Sequence, residues 1–242
     1  MNKAEFLSNI KSHIKDFGYH VTIVTGNSPL PKYYYTIGLN QKFKFELAFA
    51  GGAIYKNEEI KKIINFIVEK LNINTFDNNF NIQLDNLGSF TISLIHESWS
   101  HLMFDGIFDY YGSSDIKVFQ IIPDTEHKTL EIPDMSIKFD EKNQPVWQWL
   151  VKDWIYPIDQ NSIVFTDIDA LFGKKILELM RWEESEWEMF TDDGTQIPKH
   201  MKRAVSFGTI LGIDDGLNPA MYLPIEKGLR RENGNSEWNN WG

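Results

Sequence analysis

The sequence predicts an α+β protein, mainly antiparallel sheet with packed helices, in two modules. Three observations carry that prediction. Two segments place apolar residues at the helical period, and several short strand-like runs follow one another between and after them instead of alternating strictly with helices. The strand-like runs are bounded by Gly, Pro, Asn and Asp, the residues of tight connections. A polar, turn-rich stretch over 125–145 and the segment "YPIDQNS" further on split the patterned sequence, placing a boundary near Pro157 and modules at 1–156 and 157–242.

Each element follows in order. "KAEFLSNIKSHIKDF" sets Phe6, Leu7, Ile10, Ile14 and Phe17 at helical spacing, and Gly18 stops it. "YHVTIV" is a strand, "GNSPLP" a turn, "YYYTIGL" a second strand and "FELAFAG" a third, so a meander packs on a helix. "NEEIKKIINFIVEKLN" is the clearest helix. Ile60, Ile63, Ile64, Ile67 and Leu71 form its stripe, Asn57 is the expected cap, and Glu58, Glu59 and Lys70 complement its dipole. "NINTFDNN" is a polar break, followed by strands near Asn81–Leu84 and Ser89–Glu97. "SHLMFDGIFDYYG" is a short helix or turn, and "IKVFQIIPD" a strand ending at Pro123. In the second module "SIVFT" is a strand, "DALFGKKILELMRW" a helix and "EWEMFT" a strand closed by "DDG". "VSFGTILGI" is a short helix or strand, and "AMYLPIEKGLRRE" a closing strand pair or extended segment. The tail "NGNSEWNNWG" is expected to fray unless Trp238 and Trp241 dock.

Composition removes several function classes. A chain of 242 residues buries about 70% of its unfolded surface and needs no staples. With no Cys it has no disulfide, thiolate metal site or Cys nucleophile, which fits a reducing compartment. Residues 1–20 lack a continuous apolar run and no stretch reaches membrane-span length, so the expected location is the cytoplasm. The net charge of −10 is uneven: residues 1–75 hold 10 Lys and 6 Asp/Glu, whereas 76–242 hold 14 Lys/Arg and 28 Asp/Glu. Such an acidic surface repels nucleic acid and anionic membrane and draws in basic partners, although solubility alone also accounts for it. The 17 Phe, 9 Tyr and 8 Trp fill cores or form recognition patches, as in "PVWQWLVKDW" and "RWEESEW".

No motif is a strong catalytic signature. "HESWSH" is not a zinc-protease helix: that motif needs His at i and i+4, whereas His96 and His101 are five apart, roughly 140° around a helix. "AGGAIYK" lacks the remaining residues of a phosphate loop and reads as a strand-to-helix turn. "NLGSFT" is no nucleophile elbow, and neither "DDG" completes a calcium loop. His101, Asp105 and Asp109, spaced by four, would form a row on one helix, which a solvated face explains equally well. A ligand site in the first module would gather His20, Tyr35, Thr36 and Glu46, with His96, His101 and Asp105 nearby, although His20 could equally be a core residue. No cofactor or metal is called for by any motif.

Two resemblances add to this reading. "GYHVTIV", "YYYTIGL", "FELAFAG" and "FDYYGSSDIKVFQIIPD" together resemble the bacterial domain-of-unknown-function family 4262, over roughly residues 1–135. The departures are Phe45, where the family tends to have Pro, and "LEIPDMS", where it tends to have Pro-Trp. Residues 160–242, with Trp187, Asp192 to Gly194, Ile210 to Asp214 and Leu223 to Arg230, are similar to predicted immunity protein family 33. The first resemblance brings no activity. The second implies a non-catalytic protein that neutralises a cognate toxin. The expected partner is therefore a basic protein toxin, with neither nucleic acid nor membrane, held by Trp182, Trp187, Asp192, Asp193, Asp214 and Asp215; the oligomeric state stays open. The alternative is a small-ligand or metal-binding domain, or an enzyme, with its site near His20 and His96/His101. A scaffold without a site is a third reading.

Overall fold

A computed structural model describes residues 3–25, 29–71 and 80–241. The fold is α+β, with mostly antiparallel sheets. The chain forms two compact units, one of Met1–Val24, Tyr33–Lys128 and Asp134–Phe139, the other of Thr25–Lys32, Thr129–Pro133 and Asp140–Gly242.

The first unit contains α1 (Lys3–Phe17), β1 (His20–Val24), β2 (Tyr33–Ile37), α2 (Asn40–Phe43), β3 (Glu46–Ala50), α3 (Asn57–Lys70), β4 (Asn81–Leu84), β5 (Gly88–Leu94), α4 (Glu97–Met103), α5 (Asp105–Tyr111) and β6 (Val118–Pro123). Its sheet runs β1-β2-β3-β6-β5-β4, antiparallel except at β3–β6. The expected meander is β1-β2-β3. Strand alternation sends Tyr34, Leu47, Phe49, Phe90 and Ile121 into one core with the α3 stripe Ile60, Ile63, Ile64, Ile67 and Leu71. The cap of α3 is Lys56, not Asn57: the Glu59 carboxylate accepts the Lys56 N–H at 2.7 Å, while Asn57 Oδ1 accepts the Tyr34 hydroxyl at 2.7 Å. "AGGAIYK" is the expected turn, with Gly51 and Gly52 both at positive φ, and a Cβ on Gly52 would lie 2.4 Å from the Phe49 ring. The polar break at 72–79 lies outside the described residues. The strand expected to reach Glu97 stops at Leu94, because His96 caps α4.

The second unit contains β7 (Ile163–Asp167), α6 (Ile168–Leu171), β8 (Glu178–Arg181), β9 (Glu186–Phe190), β10 (Lys202–Ser206), α7 (Phe207–Ile213), β11 (Lys227–Arg230) and β12 (Asn239–Trp241), with 3₁₀ segments at Pro145–Leu150, Lys199–Met201 and Asp215–Tyr222. Its sheet runs β10-β7-β9-β8-β11-β12, antiparallel except at β7–β9. Three expectations change here. The helix expected over 169–182 is one turn, α6, followed by β8: Gly173 takes φ +95°, and Leu179 and Met180 gain ladder partners on both sides in β9 and β11. The tail expected to fray pairs with β11 as β12, and the Trp238 indole donates to Gly216 O at 3.0 Å. The boundary expected near Pro157 falls inside this unit: Trp147 is fully buried and its indole donates to Glu131 O at 2.9 Å. Among the described residues no helix is long and apolar enough to cross a membrane.

Candidate functional site

The β8–β9 hairpin ends in "WEESE", residues 182–186. Trp182 N–H and Glu183 N–H both donate to Glu186 O, at 3.0 and 3.3 Å, closing the turn. Arg181 braces it from behind. Its Nε donates to Glu183 O at 3.3 Å and its Nη2 to Glu184 O at 3.0 Å, while Nη1 reaches Leu223 O at 2.9 Å. The guanidinium also sits 5.0 Å from the Trp187 ring centroid. The cation is thus spent on carbonyls and a ring, leaving the glutamate carboxylates of the tip to set the outward charge.

Glu226 N–H donates to Arg181 O at 2.7 Å, which brings the segment before β11 alongside the hairpin. Both segments expose large apolar groups: Trp182 is 47% exposed, Tyr222 78% and Ile225 50%. Around them Glu183, Glu184, Glu186 and Glu226 are exposed, with Lys227 a basic neighbour. The Trp182 ring is oriented by its indole N–H, which donates to Glu188 Oε2 at 2.9 Å. Exposed aromatic and aliphatic groups with exposed carboxylates beside them in sequence, on two segments that Arg181 ties together, are features shared by protein-binding surfaces.

The expected partner-binding residues divide. Trp182 lies on this surface. Trp187 does not: it is fully buried, in phase with Met189 on the inward face of β9, 5.1 Å from the Phe207 ring. Asp214 is buried as well, its carboxylate accepting Arg231 Nη2 at 2.9 Å, Ile176 N at 3.0 Å, Lys175 Nζ at 3.0 Å and Gly216 N at 3.0 Å. Burial removes both from any recognition role in the folded unit. Asp215 is exposed and meets Lys175 at 2.9 Å. Asp192 is exposed, whereas Asp193 binds back to Thr195, its Oδ1 accepting the amide at 2.9 Å and the hydroxyl at 2.7 Å. These two line a separate cleft of about 540 Å³ with Glu178, Arg230 and Trp241.

The expected ligand site in the first unit is only partly assembled. Thr36 and Glu46 do meet, the hydroxyl donating to Oε2 at 2.6 Å. Three groups missing from the expected set complete the arrangement: Oε1 accepts Gly38 N at 2.9 Å, Asn40 N at 3.0 Å and the Tyr111 hydroxyl at 2.6 Å. Burial pushes the Glu46 carboxyl above its ordinary range, against the pull of these hydrogen bonds. With no exposed surface and both oxygens engaged, Glu46 joins β2, α2, β3 and α5 and presents no face to a substrate.

Tyr35 is buried and packs edge-on to Phe104 at 5.6 Å. The three histidines have separate partners. His20 Nδ1 lies 2.8 Å from His13 Nδ1; His96 Nδ1 accepts Ser98 N at 3.2 Å as the cap of α4; the His101 ring lies 5.7 Å from Phe108. Asp105 is exposed and starts α5, so the expected row from His101 is broken at Phe104, where φ is −118° and ψ 33°. Among the described residues no three His, Asp or Glu side chains converge as a metal site requires.

Sequence reasoning missed Tyr222, Ile225 and the bracing role of Arg181. One available signal was the strand period: Trp187 and Met189 share one parity in "EWEMF" and Glu186 and Glu188 the other, so Trp187 had to point inward. A scan against family models finds no match, and searches of curated proteins and of solved structures find none either.

Proposed function

We propose that this is a non-catalytic binding protein of the immunity type, which holds a basic protein toxin through the surface around the β8–β9 hairpin. One observation carries the reading: Trp182, Tyr222 and Ile225 stand exposed among Glu183, Glu184, Glu186 and Glu226. An aromatic anchor supplies binding energy where water is excluded, and the carboxylates steer a cationic partner and speed its approach. The bracing by Arg181 lowers the ordering cost of association. The net charge of −10 supports the same reading. A cytoplasmic location belongs with it, and the lack of cysteine fits that compartment.

The test compares the tagged protein with its E183K/E184K variant as bait in lysate of the native host. A basic polypeptide retained stoichiometrically by the wild type, and lost both by the variant and at high salt, supports the reading. Equal retention by wild type and variant removes the hairpin from the interface.

A further inference from the structure

A second site lies in the first unit and is independent of the hairpin surface. A cleft of about 500 Å³ is lined by Gln83, Asn86, Ser89, Asp124, Glu126 and His127, together with Gly88 and Thr125. At its wall Asp124 and His127 form a dyad, with Oδ1 2.7 Å from Nδ1. The carboxylate is fixed by two further donors, Ser89 N to Oδ2 at 2.6 Å and Glu126 N to Oδ1 at 3.2 Å. Burial works against the charged form, but the Ser89 amide and the His127 hydrogen bond outweigh it and hold the carboxyl below its ordinary range. An ionised carboxylate only accepts, so Nδ1 carries the hydrogen and Nε2 carries the lone pair when the imidazole is neutral.

The ring is immobilised on two more sides. It lies nearly parallel to Tyr55, 5.9 Å between centroids at 14°, and packs on Gly88, where φ is +97° and a Cβ would stand 2.6 Å from Nδ1. No hydrogen bond reaches His127 Nε2 or the Asn86 amide among the described residues. The cleft therefore holds an oriented Nε2, an acceptor in the neutral imidazole, beside the side-chain amides of Asn86 and Gln83, the latter accepting the Ser89 hydroxyl at its Oε1 and keeping its Nε2 donors. Its lining contains no Lys or Arg, and Asp124 and Glu126 repel an anion. Both Asp124 oxygens are already engaged, which leaves the imidazole Nε2 as the unengaged contact of the dyad itself, while among the described residues the exposed Glu126 carboxylate is the one unpaired charge in the lining.

We propose that this cleft binds a small neutral polyhydroxyl ligand, of the monosaccharide or cyclitol class, with His127 Nε2 accepting a ligand hydroxyl and Asn86 and Gln83 pairing with its neighbours. The test is a protein-observed NMR titration of the full chain with glucose, galactose, mannose and myo-inositol at millimolar levels, with inorganic phosphate and methylamine as charged probes. Saturable shifts from a neutral probe, confined to Gln83, Asn86, Ser89 and His127, are expected. Asn86→Gly is the variant least able to disturb the fold, because Asn86 has φ +65°, a conformation glycine adopts freely. It should weaken that probe about tenfold, the worth of one good hydrogen bond. His127→Phe keeps a ring on Tyr55 while removing both nitrogens, and should abolish the shifts. The proposal is overturned if no neutral probe saturates, if only phosphate or methylamine does, or if both variants bind as the wild type does.

Discussion

At the scale of single residues, Asp214 shows how one carboxylate can organise a unit. It draws together the amide of Ile176, the amide of Gly216, Lys175 and the buried Arg231, whose own Nε and Nη1 are satisfied by Ile176 O at 2.6 Å and Gly234 O at 2.9 Å. Removing one member of a buried pair strands the other charge in a poor solvent. Asp214→Ala should therefore cost about 3–5 kcal/mol of unfolding free energy, read from urea denaturation. His20 gives a second residue-level prediction. Burial, and then the neighbouring His13, push its pKa below the ordinary 6.5. The unfolded chain then binds the proton more readily, so the contribution of this group is present above about pH 6.5 and is lost as the pH falls. Melting temperatures taken between about pH 7 and 5 should drop less steeply for His20→Gln than for the wild type; parallel slopes would assign the acid sensitivity elsewhere.

At the scale of elements, the β8–β9 hairpin separates two tryptophans that look alike in the sequence. Trp182 is half exposed on the turn and Trp187 is fully buried in β9. Trp187→Ala should lose about 3–5 kcal/mol of stability, as truncation of a buried aromatic does. Trp182→Ala should leave the melting curve nearly in place and, on the function proposed above, weaken binding of the proposed basic partner by about 2 kcal/mol or more, measured by calorimetry. The same hairpin explains why the expected helix over 169–182 does not form. "KKILELMRW" carries good helix formers, but Gly173 at φ +95° breaks the run, and pairing with β9 and β11 offers Leu179 and Met180 a buried, bonded place in the sheet. Local propensity is a weak prior against two ladders.

At the scale of the whole molecule, chain order and structural unit do not coincide. The second unit recruits Thr129–Pro133 from the middle of the sequence, and Trp147 seals against it through Glu131 O. A fragment of residues 157–242 lacks that segment and the fully buried Trp147. It should show no cooperative thermal transition by circular dichroism, while the full chain does; a sharp transition in the fragment would mean that the missing segments contribute little. The net charge of −10 acts over the whole molecule too, so association with a basic partner should slow as ionic strength rises past the range where the screening length falls to about 10 Å.

What the sequence determined by itself is what local periodicity encodes. The α3 stripe, the strands β1, β2, β3 and β6, the turn at Gly51 and Gly52 and the mostly antiparallel α+β class follow from spacings of two and 3.6 residues and from the residues that tolerate positive φ. The meeting of Thr36 with Glu46 was legible for the same reason, since they sit on adjacent strands joined by a short connection. Tertiary structure decided the rest: that Tyr111 completes the Glu46 cluster from 65 residues away, that Asp214 is an interior hub and not a surface charge, and that the Asp124–His127 turn packs on Gly88, Ser89 and Tyr55. A carboxylate has the same local signature whether it meets water or a buried guanidinium. Only the path of the chain settles which, because desolvation and pairing depend on neighbours that the sequence brings together from far apart.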